Sequence, residues 1–88
     1  EHETGLCVDI TSKANQRLDQ TQETTPENIW LRKHCAEYGF ILRYPKGKEK
    51  VTGYDYESWH FRYVGKEAAK EITSRGITLE EYVSTLRR

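Results

Sequence analysis

Methionine is missing from all 88 residues of this chain. A translated chain starts with one, so the N-terminus is expected to be a processed or cut end, and the lack of a visible signal peptide carries no weight. Cysteine is nearly as scarce. Cys7 and Cys35 are too few for a disulfide scaffold and leave either one bridge or two small buried thiols. Net charge is absent, with fourteen basic against fourteen acidic residues. That balance excludes the basic bias of a nucleic-acid-binding or polybasic membrane-surface module. No apolar run approaches the roughly 20 residues of a membrane-spanning helix. Aliphatic side chains are few, and mean hydropathy is −0.91. The chain is instead rich in rings, with six Tyr and two Trp. These are expected to supply much of the core. A chain of this length is one domain at most, spanning residues 1–88, with a small core and modest stability.

The pattern along the chain is α+β. Residues 5–10, GLCVDI, alternate as a short strand, with Leu6, Val8 and Ile10 on one face and Cys7 and Asp9 on the other. Residues 11–25 are polar, lack a hydrophobic period and read as a long loop, of a length usually functional or disordered. Thr25-Pro26-Glu27 is a helix start, with a capping hydroxyl, Pro in the first turn and then an acid. Trp30, Leu31, His34, Cys35 and Tyr38 follow at helical spacing, and Gly39 is the C-terminal cap. FILRYP is a strand closed by Pro45, and KGKEKVTG reads as a charged hairpin connection. Residues 57–64 form the next strand, in which Trp59, Phe61 and Tyr63 alternate with His60, Arg62 and Val64. KEAAKEITSRG is a helix stopped by Gly76, and TLEEYVSTL opens with the Thr78/Glu81 pair of a capping box. The short link between the last two strands predicts an antiparallel sheet with helices packed on one face.

Two short stretches carry more chemistry than a core needs. YDYESWHFRYVG places Glu57 and His60 three residues apart, and EHETGLCVDI places His2 and Asp9 seven apart. Zinc takes imidazole nitrogen and carboxylate oxygen, and a catalytic zinc keeps three protein ligands and one open position. His2, Asp9 and His60 are one such set, with Glu57 as the natural general base beside it. Geometry constrains this reading. Seven extended residues would hold His2 and Asp9 roughly 23 Å apart, so the chain must turn between them, and Thr4-Gly5 is where it can. Glu57 and His60 have opposite parity in a regular strand, so Glu57 is expected in a loop or bulge just before the strand bearing His60. Taken singly, each residue has a plainer reading. His2 could be a surface histidine, Asp9 a turn cap, and His60 a half-buried structural histidine.

The two stretches together resemble a known family. HETGLCVDI is similar to the second half of the S-x-H-x-x-G-x-A-x-D motif of the D-alanyl-D-alanine carboxypeptidases, bacterial zinc peptidases with a hedgehog-like metal-site fold. YESWHFRYVG is similar to that family's E-x-W-H-x-R-Y segment, and YGFILRYP followed by a lysine-rich turn also resembles it. The resemblance runs from His2 to the TLEEY helix. It matches His2, Asp9 and His60 to zinc ligands and Glu57 to the catalytic base. Trp59 and Arg62 match positions that support the site or meet substrate, and Tyr56 joins them as a candidate. Two departures stand out. The motif's Ser falls before Glu1, and its Ala is replaced by Cys7. Family members also carry N-terminal helices and a substrate-holding Arg, so the chain is expected to be the C-terminal, metal-carrying portion of such an enzyme.

The resemblance implies zinc-assisted hydrolysis of the terminal D-Ala-D-Ala amide of a peptidoglycan stem peptide or its precursor, outside the cytoplasm in the bacterial cell envelope. Two other classes stay open: a non-catalytic zinc-binding module for the cell wall or a protein partner, and a metal-free interaction domain using the aromatic strand. The sparse apolar content carries a further expectation. The sheet side bearing Asp9 and His60 is left for the enzyme's own N-terminal segment or another copy of the chain.

Overall fold

The computed structural model describes residues 5–86. Strands β1 (Cys7–Asp9), β2 (Phe40–Tyr44) and β3 (Glu57–Tyr63) form one antiparallel sheet in the order β1-β3-β2. The longest strand, β3, is therefore the central one and is paired along both edges. Helices α1 (Pro26–His34), α2 (Glu49–Thr52), α3 (Lys66–Arg75) and α4 (Leu79–Leu86) complete the α+β fold.

Local sequence signals account for most boundaries. Thr25 Oγ1 accepts the amide of Asn28 at 3.2 Å, and Pro26 fills the first helical position of α1. The expected single helix ending at Gly39 is an α-helix followed by a 3₁₀ turn over Cys35–Tyr38. Such tightening of a last turn is a common way to satisfy terminal carbonyls. The capping box of α4 is reciprocal: the Thr78 amide donates to Glu81 Oε1 at 2.9 Å, and the Glu81 amide donates to Thr78 Oγ1 at 3.1 Å. Those contacts, with Lys48 nearby, hold the Glu81 carboxyl below its ordinary pKa, the backbone donor at Thr78 being the largest cause.

Three expectations need adjusting. The segment between β2 and β3 is not a plain hairpin turn, because its KEKVT stretch is helix-competent and coils into α2, stopped at Gly53. Residues 11–25 are an ordered loop ending in a 3₁₀ turn over Gln20–Thr24, closed around the fully buried Gln22. The innermost cluster is aliphatic rather than aromatic, formed by Ala36, Ile41, Ala69 and Ile72, with Val64, Ile77, Leu79 and Tyr82 packed against it. Small alanines let helix and sheet approach closely. Phe61 and Tyr44 are buried, but Trp30 stacks outward on His34 with ring centroids 4.7 Å apart. An ion pair fastens α4 to the sheet: Arg43, only 11% exposed, donates to both carboxylate oxygens of Glu80 at 2.8 and 2.9 Å.

Of the two cysteine readings, the buried thiols hold: Cys7 and Cys35 are both free and buried. Burial pushes the Cys35 thiol above its ordinary pKa. Thiolate is the reacting species, so Cys35 should resist alkylation near neutral pH and react only as denaturant opens the fold. Labelling the native protein as fast as the unfolded one would contradict its placement.

Gly39 is the tightest backbone position. Its φ is 87°, and a Cβ there would stand 2.8 Å from Tyr63 Cε1 and 3.3 Å from backbone atoms of Gly65 and Lys66. Its carbonyl also accepts the amides of Val64 at 2.8 Å and Gly65 at 3.1 Å. Gly39→Ala should therefore cost about 2–4 kcal/mol, from left-handed backbone plus overpacking. The check is a lowered urea midpoint at unchanged m-value.

Candidate active site

The sheet register brings two of the sequence-predicted ligands together. Asp9 of β1 stands directly opposite His60 of β3. Cross-strand partners share a face with Cβ atoms roughly 5 Å apart, and here Asp9 Oδ1 lies 3.3 Å from His60 Nδ1. His60 is buried at 6% side-chain exposure, whereas Asp9 is at 29%. The Tyr44 ring packs on the imidazole at 5.0 Å between centroids, and Tyr54 stacks on Tyr44 at 4.6 Å.

Glu57 reaches the same nitrogen from beside an irregularity in register. Between β2 and β3, Leu42 pairs with Phe61 but Tyr44 pairs with Glu57. Two residues advance along β2 (42 to 44) while four advance along β3 (61 to 57), so β3 carries two extra residues. Glu57 is thus the first residue of β3, not part of the loop before it, and the irregularity follows it. The irregularity lies between Glu57 and His60 and interrupts even pleating there, and Glu57 Oε1 stands 3.7 Å from His60 Nδ1.

The slipped segment needs partners for its backbone, and one comes from α1. Asn28, buried at 2% exposure, donates from Nδ2 to the Ser58 carbonyl at 2.6 Å and accepts from Arg32 Nε at 2.9 Å. Asn28 was not singled out in the sequence. The only signal there was an Asn four residues before an Arg on one helix face, which reads equally well as a solvent-exposed pair.

The remaining candidates fall around this centre. Trp59 lines a pocket of about 360 Å³ with Asp9, Leu18, Tyr44, Tyr54, Glu57 and His60. Tyr56 lines the adjoining groove with Asp19, Gln20, Thr21, Asp55, Glu57 and Trp59, and Lys46 Nζ sits 5.2 Å from its ring centroid. Arg62 stands two residues beyond His60, opposite Cys7 on one side and Ile41 on the other. His2 lies outside the described residues. The uncovered Val8, at 41% exposure, alternates with Asp9 and so stands on the opposite sheet face.

The pair Asp9–His60 fits a zinc ion on geometry. Two ligands at about 2.0–2.1 Å from a tetrahedral ion stand about 3.3–3.4 Å apart, the spacing found between Oδ1 and Nδ1. A charge-assisted hydrogen bond would be shorter, about 2.7–2.9 Å. Among the described residues no group of three or more His, Cys, Asp or Glu side chains gathers as a metal site, so a third ligand would have to come from elsewhere.

Comparison with known proteins identifies the family. The family model described as VanY, D-alanyl-D-alanine carboxypeptidase, matches residues 1–66. A D-alanyl-D-alanine carboxypeptidase of Enterococcus faecalis (strain ATCC 700802 / V583) is 44% identical over 86 residues, covering 97% of this chain and 30% of that protein. The solved LdcB LD-carboxypeptidase, whose structure addresses peptidoglycan recognition, superposes with a TM-score of 0.91 at 49% identity, over 96% of this chain and 40% of that one. A variant of the vancomycin-resistance D,D-pentapeptidase VanY from a VanB-type resistance cassette, solved in complex with Zn(II), superposes at 0.77 with 43% identity, over 93% of this chain and 43% of that one. The chain therefore spans well under half the length of these relatives. A register that sets a histidine against an aspartate, a glutamate slipped onto the same nitrogen, and a family match over three quarters of the sequence agree: the chain belongs to the VanY family of D-alanyl-D-alanine carboxypeptidases.

Proposed function

We propose that this chain carries the metal-holding and proton-transferring part of a zinc-dependent D-alanyl-D-alanine carboxypeptidase. It would hydrolyse the terminal D-Ala-D-Ala amide of peptidoglycan stem peptides outside the cytoplasm. Residues 1–88 act in this reading as one catalytic unit. The observation that carries it is the convergence of Asp9 Oδ1 and Glu57 Oε1 on His60 Nδ1, at 3.3 and 3.7 Å. Asp9 and His60 hold the zinc, with His2 as the third ligand. When bound, the ion polarises the scissile carbonyl and lowers the pKa of water to about 7. Glu57 Oε1 takes the proton of the attacking water and returns it to the departing D-alanine nitrogen. Trp59 walls the pocket, Tyr56 lines the groove leading away from it, and Arg62 supports the strand beyond His60. A non-catalytic zinc module would have no use for a carboxylate at Glu57, so close to the ligand pair.

A second reading keeps the chemistry and changes the residue before the scissile bond. Identity is 49% with the LD-carboxypeptidase against 43% with the D,D-pentapeptidase, which favours a substrate whose terminal D-alanine follows an L-centre. Turnover of two synthetic stem peptides, one ending in D-Ala-D-Ala and one in an L-residue followed by D-Ala, separates the two.

Glu57→Gln in the complete protein should retain zinc and lose on the order of 10²–10⁴ in kcat, because Gln keeps the shape but cannot accept the proton. His60→Ala should lose the zinc itself, read by metal analysis of the purified protein. Near-normal turnover in Glu57→Gln would remove Glu57 from the mechanism. Full zinc content in His60→Ala would remove His60 from the ligand set.

A further inference from the structure

Residues 11–25 are almost wholly polar, and Leu18 is their one large apolar side chain. The fold does not bury it: Leu18 is 50% exposed. A single exposed leucine is ordinary on a protein surface. This one, however, lines the pocket that holds Asp9, Glu57 and His60, where Tyr44, Tyr54 and Trp59 are the other ring and apolar surfaces.

The loop behind Leu18 is built to hold it still. Gln22 is 0% exposed, and each of its side-chain atoms able to hydrogen-bond is engaged. Its Oε1 accepts the Ser12 amide at 3.3 Å. Its Nε2 donates to the carbonyl of Asn15 and to that of Arg17 at 2.8 Å. Three points on the loop, just before Leu18, are thus tied to one buried amide. Secondary contacts brace the same stretch. Asn15 Nδ2 donates to Thr21 Oγ1 at 2.6 Å, the Arg17 amide donates to Asn15 Oδ1 at 3.1 Å, and the Thr21 amide donates to Asp19 Oδ1 at 2.9 Å. A buried amide with all its partners is strongly directional, because losing any one strands a polar group away from water. Ordering so polar a loop has an entropic cost, and no large apolar side chain of the loop is buried in return.

We propose that Leu18 is a specificity-determining contact for the methyl group of the substrate's C-terminal alanine, and that Gln22 is the positioning residue that sets it. The inference rests on the carboxypeptidase reading. It does not depend on whether a D- or an L-centre precedes the scissile bond, because both substrates end in D-alanine. Hydrolysis at Glu57 and His60 requires the scissile carbonyl beside them, which leaves the last residue within one residue's length of that point. An apolar wall there stabilises a methyl-bearing residue over glycine and adds nothing to proton transfer.

The test uses the complete, zinc-loaded enzyme and two stem peptides that differ only in ending with D-Ala or Gly. Leu18→Ala should lower the D-Ala/Gly ratio of kcat/KM by about tenfold, the low end for one methyl contact, with kcat on the D-Ala peptide little changed. Gln22→Glu is isosteric but turns a donor toward the Asn15 and Arg17 carbonyls into an acceptor. It should lower the ratio as much as Leu18→Ala does, and the double variant should be no worse than either, since Gln22 acts through Leu18. Amide hydrogen exchange should rise over residues 11–25 in Gln22→Glu while the β3 amides stay protected. Calorimetric binding of the same two peptides to Glu57→Gln gives the discrimination without turnover. An unchanged ratio and unchanged binding preference in Leu18→Ala, with the parent enzyme active, would overturn the inference and leave the carboxypeptidase reading intact. Neither turnover by the parent nor binding of either peptide would overturn both.

Discussion

The pairing of Asp9 with His60 across β1 and β3 is the constraint on which the rest of the arrangement turns. A carboxylate and a buried imidazole are poor choices for facing positions in a small sheet. Each loses water on folding, and neither contributes apolar area. The position is also the least forgiving one, since β3 is paired on both sides and cannot drift to relieve a mismatch. What β1 and β3 gain is precision: two backbone ladders fix the separation of Oδ1 and Nδ1 without relying on the side chains to find each other. A spacing suited to a tetrahedral ion follows from ordinary antiparallel geometry.

The same central strand solves a second problem by breaking its own regularity. Three residues of even pleating would turn Glu57 away from His60. The pairing irregularity between Leu42 and Tyr44 interrupts that pleating, and Glu57 Oε1 stands 3.7 Å from His60 Nδ1. The cost falls on the backbone, because a slipped segment leaves groups outside the ladder. Asn28 meets part of that cost by donating to the Ser58 carbonyl. In this way α1, which contributes no reactive group, fixes the shape of the site. Bulges tend to occur where a side chain must be re-aimed, and here the re-aimed side chain is the carboxylate.

Buried polar side chains recur as the organising devices of this chain. Asn28 and Gln22 are each at most 2% exposed, in a protein whose aliphatic cluster is small. With little apolar area to specify a unique arrangement, satisfied amides take over much of that role. The short α4 follows the same logic, held by the Thr78–Glu81 box and the bidentate Arg43–Glu80 pair rather than by apolar contact alone.

Much of this was legible in the order of residues. Thr25-Pro26, Gly39, Gly76 and Thr78/Glu81 mark helix ends because capping chemistry is local and needs no tertiary partner. The alternation in FILRYP and SWHFRYV marks strands for the same reason, and the two motifs containing Asp9, Glu57 and His60 are recognisable because their residue types are ill suited to a core. What the sequence by itself determined, then, is most of the elements, the α+β class and the candidate residues of the site. Pairing was decided only by the fold. The order β1-β3-β2, the irregular pairing beside Glu57, and the roles of Asn28 and Gln22 depend on residues 13 or more positions apart, or on which face of a loop turns inward. An Asn or Gln reads as solvent-facing until a carbonyl with no other partner is brought against it, and only the folded chain brings one.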